Sequence, residues 1–493
     1  MIHTIMDRRS FLKTTGVAAI AGAATSILPA CGTKKTPIES DAPVRYKTQV
    51  LVVGGGPAGV CAALAAARNG VKVLLVEQGG CLGGMATRGL VAPFMTCFDS
   101  KGEIQIIRGL FGEIVDRMVA LGGAIHPREV RSGTPFSAWI TTGHDHCTPF
   151  DAETMKFVLD SMCAEAGVKV LFHASFVRAI VRHNTVTGII LLTKSGLETA
   201  EASIVVDATG DGEVCASAGN PCEFGNEEIG KVQPATLFFH INNVDSSKLI
   251  KDVEAHLHEF RKVNGVSYRA LHWRVAEAEA SGEWDIARKS VNIYRGVRED
   301  EWAVNCTRIS GVDATDSESL TAAEIEGRRQ IQELLHFFHK YVPGCEKAVI
   351  KSSASTIGIR ESRHVAGKYL LTADDLLGGL VPEDSVLLAS NSVDVHGRLG
   401  ANTTEYKTID PHLWYGVPYR SLVPEEVDGL LVAGRAISAT SDAAGAVRVI
   451  PPCMAMGQAA GTAAAIAVRA GKLSGLDFDD IRRRLISQNV FLG

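Results

Sequence analysis

No C-x-x-C pair occurs among the eleven cysteines of this 493-residue chain. That absence excludes the usual ligand spacing of iron–sulfur clusters and of c-type haem attachment. Extended basic runs are also missing after the first residues, and the net charge is −5, which argues against a nucleic-acid partner. Beyond residue 30 no segment has the roughly 20 apolar residues of a bilayer-spanning helix. Internal repeats are absent. His144, His146 and Cys147 are close metal-binding types without a distant fourth ligand, so no metal site is expected. What is abundant is apolar residue: 46% of the chain, enough for a large core and for two or more domains. Cys215 and Cys222 are spaced for one disulfide in an oxidising compartment, while several other cysteines sit in helical or strand patterns and read as buried thiols.

The start of the chain reads as an address. Asp7-Arg8-Arg9-Ser10-Phe11-Leu12-Lys13 is a twin-arginine signal with Asp7 where Ser or Thr is usual. A short apolar stretch, 16–30, follows, and Leu28-Pro29-Ala30-Cys31 resembles a lipobox whose cysteine is lipidated; the alternative is an ordinary signal. The expectation is export of the folded chain by the twin-arginine translocase to the periplasm or cell surface. Membrane contact would come only through a lipid at Cys31. Residues 32–45, rich in Lys, Pro, Ser and Asp, read as a flexible tether.

The most informative segment is 49–77. An apolar run at 50–53 leads directly into Gly54, Gly56 and Gly59 in G-x-G-x-x-G spacing, then into an Ala-rich helix from Pro57 and Ala58 to Arg68. A second apolar run ends on Glu77. This is the strand–turn–helix–strand unit of a dinucleotide site. Gly54 permits the turn, Gly56 leaves room for a pyrophosphate, and Gly59 lets helix and strand approach. The helix N-terminus takes phosphate charge and Glu77 accepts from ribose hydroxyls.

Residues 46–220 continue as alternating strands and helices. A helix is expected over 151–166, a strand over 168–172, and a hairpin of 177–181 with 186–192 turning at Asn184-Thr185. Residues 221–350 are richer in charge and aromatics and read as an inserted α+β domain, with one helix opening on a Thr321/Glu324 capping box. From 351 to 493 the first domain resumes, ending in a helix that opens near Pro451-Pro452.

Further segments extend the pattern: Gly79-Gly80-Cys81-Leu82-Gly83-Gly84-Met85-Ala86-Thr87, Phe150-Asp151-Ala152-Glu153, Asp207-Ala208-Thr209-Gly210-Asp211-Gly212, Ile359-Arg360-Glu361-Ser362-Arg363, Asp394-Val395-His396, and 431–461. With the glycine loop they resemble the FAD-dependent oxidoreductases of the glutathione-reductase-like flavoprotein superfamily. A more distant similarity runs to fumarate reductase flavoproteins and to the flavin subunit of heterodisulfide reductase. The resemblance implies an α/β, Rossmann-like FAD-binding domain carrying an inserted α+β substrate domain. FAD is the implied cofactor. To the residues of the dinucleotide unit it adds Gln78, Gly83, Gly84, Met85, Val177, Ala208, Thr209, Gly210, Asp211, Gly434 and Arg435 as cofactor-binding. Two departures matter. Cys81 has no partner cysteine nearby, which argues against dithiol chemistry, and no second glycine-loop unit appears, which argues against NAD(P)H as reductant.

For the substrate, His396 is the candidate general base, since an unperturbed imidazole titrates near neutrality. Asp394 shares its strand face and either orients it or merely bonds to it. Arg360, with Arg363 and Arg448, is a candidate anchor for an anionic or polyhydroxylated substrate. The leading expectation is a dehydrogenase of a small hydroxylated organic substrate, with a quinone, a cytochrome or oxygen as electron acceptor. The alternatives are a reductase of an activated double bond and a non-catalytic electron-transfer flavoprotein.

Overall fold

The computed structural model describes residues 42–493, apart from 227, 229, 398 and 399. The expected address, residues 1–31, and the tether up to residue 41 lie outside the described residues. The first strand, β1 (Val44–Val53), begins inside the stretch read as tether. Its last four residues are at most 2% exposed. After α1 (Pro57–Arg68), β2 (Val73–Val76) pairs parallel to β1. Then come β3 (Lys169–Leu171), β4 (Ser175–Arg182), β5 (Thr185–Thr193) and β6 (Gly196–Asp207).

The sheet order is β3-β2-β1-β6-β5-β4, with the strand Leu430–Val432 also on β6. β1, β2, β3, β6 and Leu430–Val432 run parallel, whereas β4 and β5 form an antiparallel edge. The central parallel strands are covered on both faces, which is why they read as continuous apolar runs. Register places Val53 opposite both Val76 and Asp207, and Val432 opposite Asp207. These carboxyl ends share one sheet edge, where open α/β sheets bind ligands. The β4–β5 turn sits one residue earlier than expected: His183 and Asn184 take positive φ (48° and 61°), and Thr185 already belongs to β5.

The helix Ile450–Ala470 opens with its prolines in the first turn, as the sequence indicates. It packs on α1 through bare backbone. A Cβ on Gly457 would lie 2.0 Å from the Ala58 carbonyl oxygen, and one on Gly461 2.0 Å from that of Ala62.

A second hydrophobic core lies mainly within 235–357 and contains the fully buried Trp302, Phe239, Phe337 and Phe338. Four antiparallel strands build it, ordered Asn292–Arg295, Trp302–Asn305, Phe239–Asn242 and Val349–Ser353. Leu90, Trp139 and Ala152 join it from the preceding segment, and residues 42–493 form one compact unit. The helix Ser317–Tyr341 contributes Leu334, Phe337 and Phe338 to this core. Its N-cap is Asp316, which accepts from the Ser319 amide at 2.7 Å. The expected capping box is therefore misplaced. Thr321 lies a turn inside the helix, and Glu324 instead accepts from the Ile357 amide at 2.6 Å. Cys215 and Cys222 are free thiols, as are the other cysteines among the described residues. Among those residues no single helix is long and apolar enough to cross a membrane.

Candidate active site

A cavity of about 480 Å³ starts at the carboxyl edge of the sheet and runs toward the second core. At the sheet end its walls are backbone. Gly54 takes φ +102°, and a Cβ there would sit 2.4 Å from the Ala208 oxygen. On Gly59 a Cβ would lie 1.8 Å from the Gly54 oxygen, so helix and turn touch as the spacing predicts. Gly56 differs: a Cβ there would meet nothing within 4 Å. It faces open cavity at the start of α1, which has no side-chain cap. The second glycine turn presses on the first, because a Cβ on Gly84 (φ +49°) would lie 2.8 Å from the Gly56 Cα. Pro57, Ala58, Gln78 and Met85 line the same space.

Glu77 is 6% exposed and already holds three protein donors: the Gly55 amide (2.8 Å), the Gly79 amide (2.6 Å) and Arg88 (3.0 Å). A carboxylate has about four acceptor positions, so about one remains for a ribose hydroxyl. Arg88 is part-exposed, so solvent partly screens its pull on the buried Glu77. The two amides therefore do most to fix Glu77. Arg88 went unforeseen; nothing in its local sequence marks it.

Across the cavity, Ala208, Thr209 and Gly210 continue from Asp207, whose carboxylate accepts from the Thr209 hydroxyl (2.7 Å) and the Cys215 amide (3.0 Å). Asp211 is held by Ser362 (2.6 Å) and by an ion pair with Arg435. Arg435 also donates to the Gly210 carbonyl at 2.8 Å, stapling this turn to the one at Gly434 (φ +100°). Val177 does not line the cavity. It is 47% exposed, and Ala174 and Phe176 line the cavity in its place.

The far end is assembled from side chains. Strands Val393–His396 and Thr404–Lys407 pair with His396 opposite Thr404. His396 Nε2 lies 3.2 Å from Asp394 Oδ2, and its Nδ1 lies 2.8 Å from the Thr404 hydroxyl. All three residues line the cavity. Arg360 donates to the Pro234 carbonyl and, at 2.7 Å, to the Thr236 hydroxyl. Arg308 donates to the carbonyls of Ala401 (2.6 Å) and Thr403 (2.8 Å) in the loop joining the two strands. Arg448 reaches Gln233 and the Asp394 carbonyl, both at 3.4 Å. Arg363 is elsewhere: it donates to the Asp211 carbonyl at 3.3 Å and does not line the cavity. Arg308, Thr404, Arg269 and Arg288 were not foreseen: Arg308 lies more than ninety residues from the loop it holds, and no motif marks the other three.

Burial and the arginines set the protonation here. His396 is pushed down to about 3, by desolvation first and then by Arg360 and Arg308, against the pull of Asp394. The expected near-neutral titration is thus displaced: His396 is a neutral imidazole at pH 7. Asp394 is burdened by burial, but His396, Arg448 and Arg360 outweigh that and hold its carboxylate below the usual range. Arg308 is brought down to about 9 by burial and by Arg288.

Residues 49–485 match the family model described as FAD dependent oxidoreductase. The chain belongs to this family. Its cofactor is FAD, and the structure fits it: the room a Cβ would take at Gly56, the uncapped start of α1 and the remaining acceptor position on Glu77 are what a pyrophosphate and a ribose require. A thiamine thiazole synthase from Methanococcus aeolicus is 27% identical over 202 residues, 38% of this chain and 63% of that protein. Glycine oxidase from Geobacillus kaustophilus has 15% identity and a TM-score of 0.40, over 84% of this chain and 93% of the other. L-proline dehydrogenase from P. horikoshii has 13% and 0.39, over 87% and 94%. At such values neither likeness extends to chemistry.

Proposed function

We propose that this oxidoreductase dehydrogenates a small hydroxylated organic substrate at the far end of the cavity. The supporting observation is the Asp394–His396–Thr404 array, with bonds of 3.2 and 2.8 Å, lining the same cavity as the glycine turns. FAD, when bound, supplies the two-electron acceptor that takes the hydride from carbon. The chain's residues handle the proton. An ionised Asp394 accepts Nε2–H and so fixes the tautomer that leaves Nδ1 basic. The Thr404 hydroxyl donates to Nδ1 and faces the cavity, so it relays the substrate hydroxyl proton to His396. Positive charge forming on the imidazole is then opposed by Arg360 and supported by Asp394.

Anaerobic flavin reduction, followed by stopped flow across polyols, sugars and hydroxy acids, tests this reading. Bleaching by one of these classes but not by NADH or NADPH is expected. Reoxidation of dithionite-reduced enzyme by unsaturated acids, with no bleaching by alcohols, would instead favour the reductase direction. A quinone, a cytochrome or oxygen is the proposed final acceptor. We also propose export by the twin-arginine route with lipidation at Cys31. Arg8→Lys with Arg9→Lys should strand the precursor in the cytoplasm, and Cys31→Ser should release exported protein from membranes without loss of FAD.

A further inference from the structure

The positive charge at the far end of the cavity exceeds what the protein pairs. Arg269, Arg288, Arg308, Arg360 and Arg448 line it, against Asp394 within the lining and Glu361, which acts on Arg448 from outside it. Arg308 is 5% exposed and Arg360 9%. Buried charges normally find a carboxylate partner. These two find carbonyls and a hydroxyl instead. Arg288 Nη1, Arg308 Nη1 and Arg448 Nε are buried without any hydrogen-bond partner. Neither Arg269 nor Arg288 makes a side-chain hydrogen bond or ion pair among the described residues. The glycine turns already supply a site for the cofactor's pyrophosphate at the sheet edge, whereas Arg288 and Arg308 come from the segment 235–357 that builds the second core.

Arg308 is the most informative member. Its Nε and Nη2 are tied to the carbonyls of Ala401 and Thr403, so the guanidinium plane is already fixed and Nη1 is left over. A group immobilised in this way loses little further freedom when it binds. Planar guanidinium forks match carboxylates. Arg308 also acts electrostatically on His396, which places the cluster beside the proton acceptor.

We propose that Arg288 and Arg308 form an anion subsite, and that the natural substrate is a hydroxy acid whose carboxylate they hold while its hydroxyl faces Thr404 and His396. The inference rests on the proposed dehydrogenation only for where the reacting carbon lies.

The test uses holoenzyme, as wild type and as Arg288→Gln, titrated with tartrate, inorganic phosphate or sorbitol at constant ionic strength. The flavin visible spectrum and the thermal midpoint report binding. Tartrate should bind and sorbitol should not at equal concentration. Arg288→Gln should weaken tartrate about 10- to 100-fold with unchanged FAD per chain, as expected for loss of one charge-assisted pair. Arg308→Lys, which keeps the charge but not the fork, should weaken it as well. Because Arg308 also holds the loop at Ala401, Arg288→Gln is the decisive variant. Tighter binding of phosphate than of tartrate overturns the carboxylate assignment. An equal response to tartrate and sorbitol, or loss of FAD from Arg288→Gln, overturns the subsite. If tartrate binds as expected but no alcohol bleaches the flavin, the dehydrogenase reading fails and the subsite stands. Bleaching by neutral polyols without anion binding is the opposite result.

Discussion

The two ends of the cavity are built by different means. At the sheet edge the walls are glycine turns and helix amides, drawn from short contiguous stretches such as 54–59 and 83–86. At the far end they are side chains drawn from scattered segments between residues 269 and 448, with Arg308 gripping the loop that follows His396. The first end recognises by backbone, and backbone approach demands glycine at fixed spacing. The second recognises by charge, and charge can be delivered from anywhere in the chain. The sheet end should therefore fail through binding of the cofactor, and the far end through turnover.

The sharpest break in that contrast is Gly56→Trp. Open space beside Gly56 means the fold should survive while FAD binding is abolished. Flavin absorbance per chain and the far-ultraviolet spectrum of the apoprotein check this. Gly59→Val is the control, because its side chain would collide with the Gly54 carbonyl and should prevent folding altogether.

Next in size is His396→Ala. Flavin reduction should slow about 10²- to 10⁴-fold with near-normal FAD content. Thr404→Val should slow it too, with a smaller loss for Asp394→Asn. Loss of FAD in any of these would blur the division between the two ends.

A pH series sharpens it further. His396 is depressed to about 3, so reduction should be flat through neutrality and fall only in acid. Stability follows the same sign. The folded value lies below the ordinary 6.5, so protons bind preferentially to the unfolded chain. The stabilising contribution is complete above about 6.5 and is lost as pH falls toward 3. His144, pushed down to about 4 by burial, adds to the effect in the same direction. Unfolding midpoints between pH 4 and 7 read this out.

The smallest expected effect is Arg88→Met. The two amides keep Glu77 in place, so FAD affinity should drop less than about tenfold. Equilibrium FAD titration of the apoprotein measures it.

What could be read in the sequence follows the same division. The turn at Gly54, the close approach at Gly59 and the prolines opening Ile450–Ala470 were legible because each depends on its own neighbours. Val177, named from the resemblance, is 47% exposed, whereas Ala174 and Phe176 line the cavity, since successive residues of a strand point to opposite faces. The Thr321 cap was misread because Asp316, upstream, competes for the same helix start. His396 lines the cavity, but its depressed acidity was not legible, since burial sets it first and Arg360 and Arg308 add to it, and no local pattern shows either.

One feature of the core acts as a gauge of ligand length. The helix Ile450–Ala470 and α1 meet with no side chain between them at Gly457 and Gly461, so neither can slide along the other. Both helices present their first turns to one cavity, through Pro57 and Ala58 on one side and Ile450 on the other. The separation of these two positive ends is thereby built into the crossing itself. A ligand must be long enough to reach both at once. FAD, which carries a flavin ring and a pyrophosphate in one molecule, has a group to offer to each end.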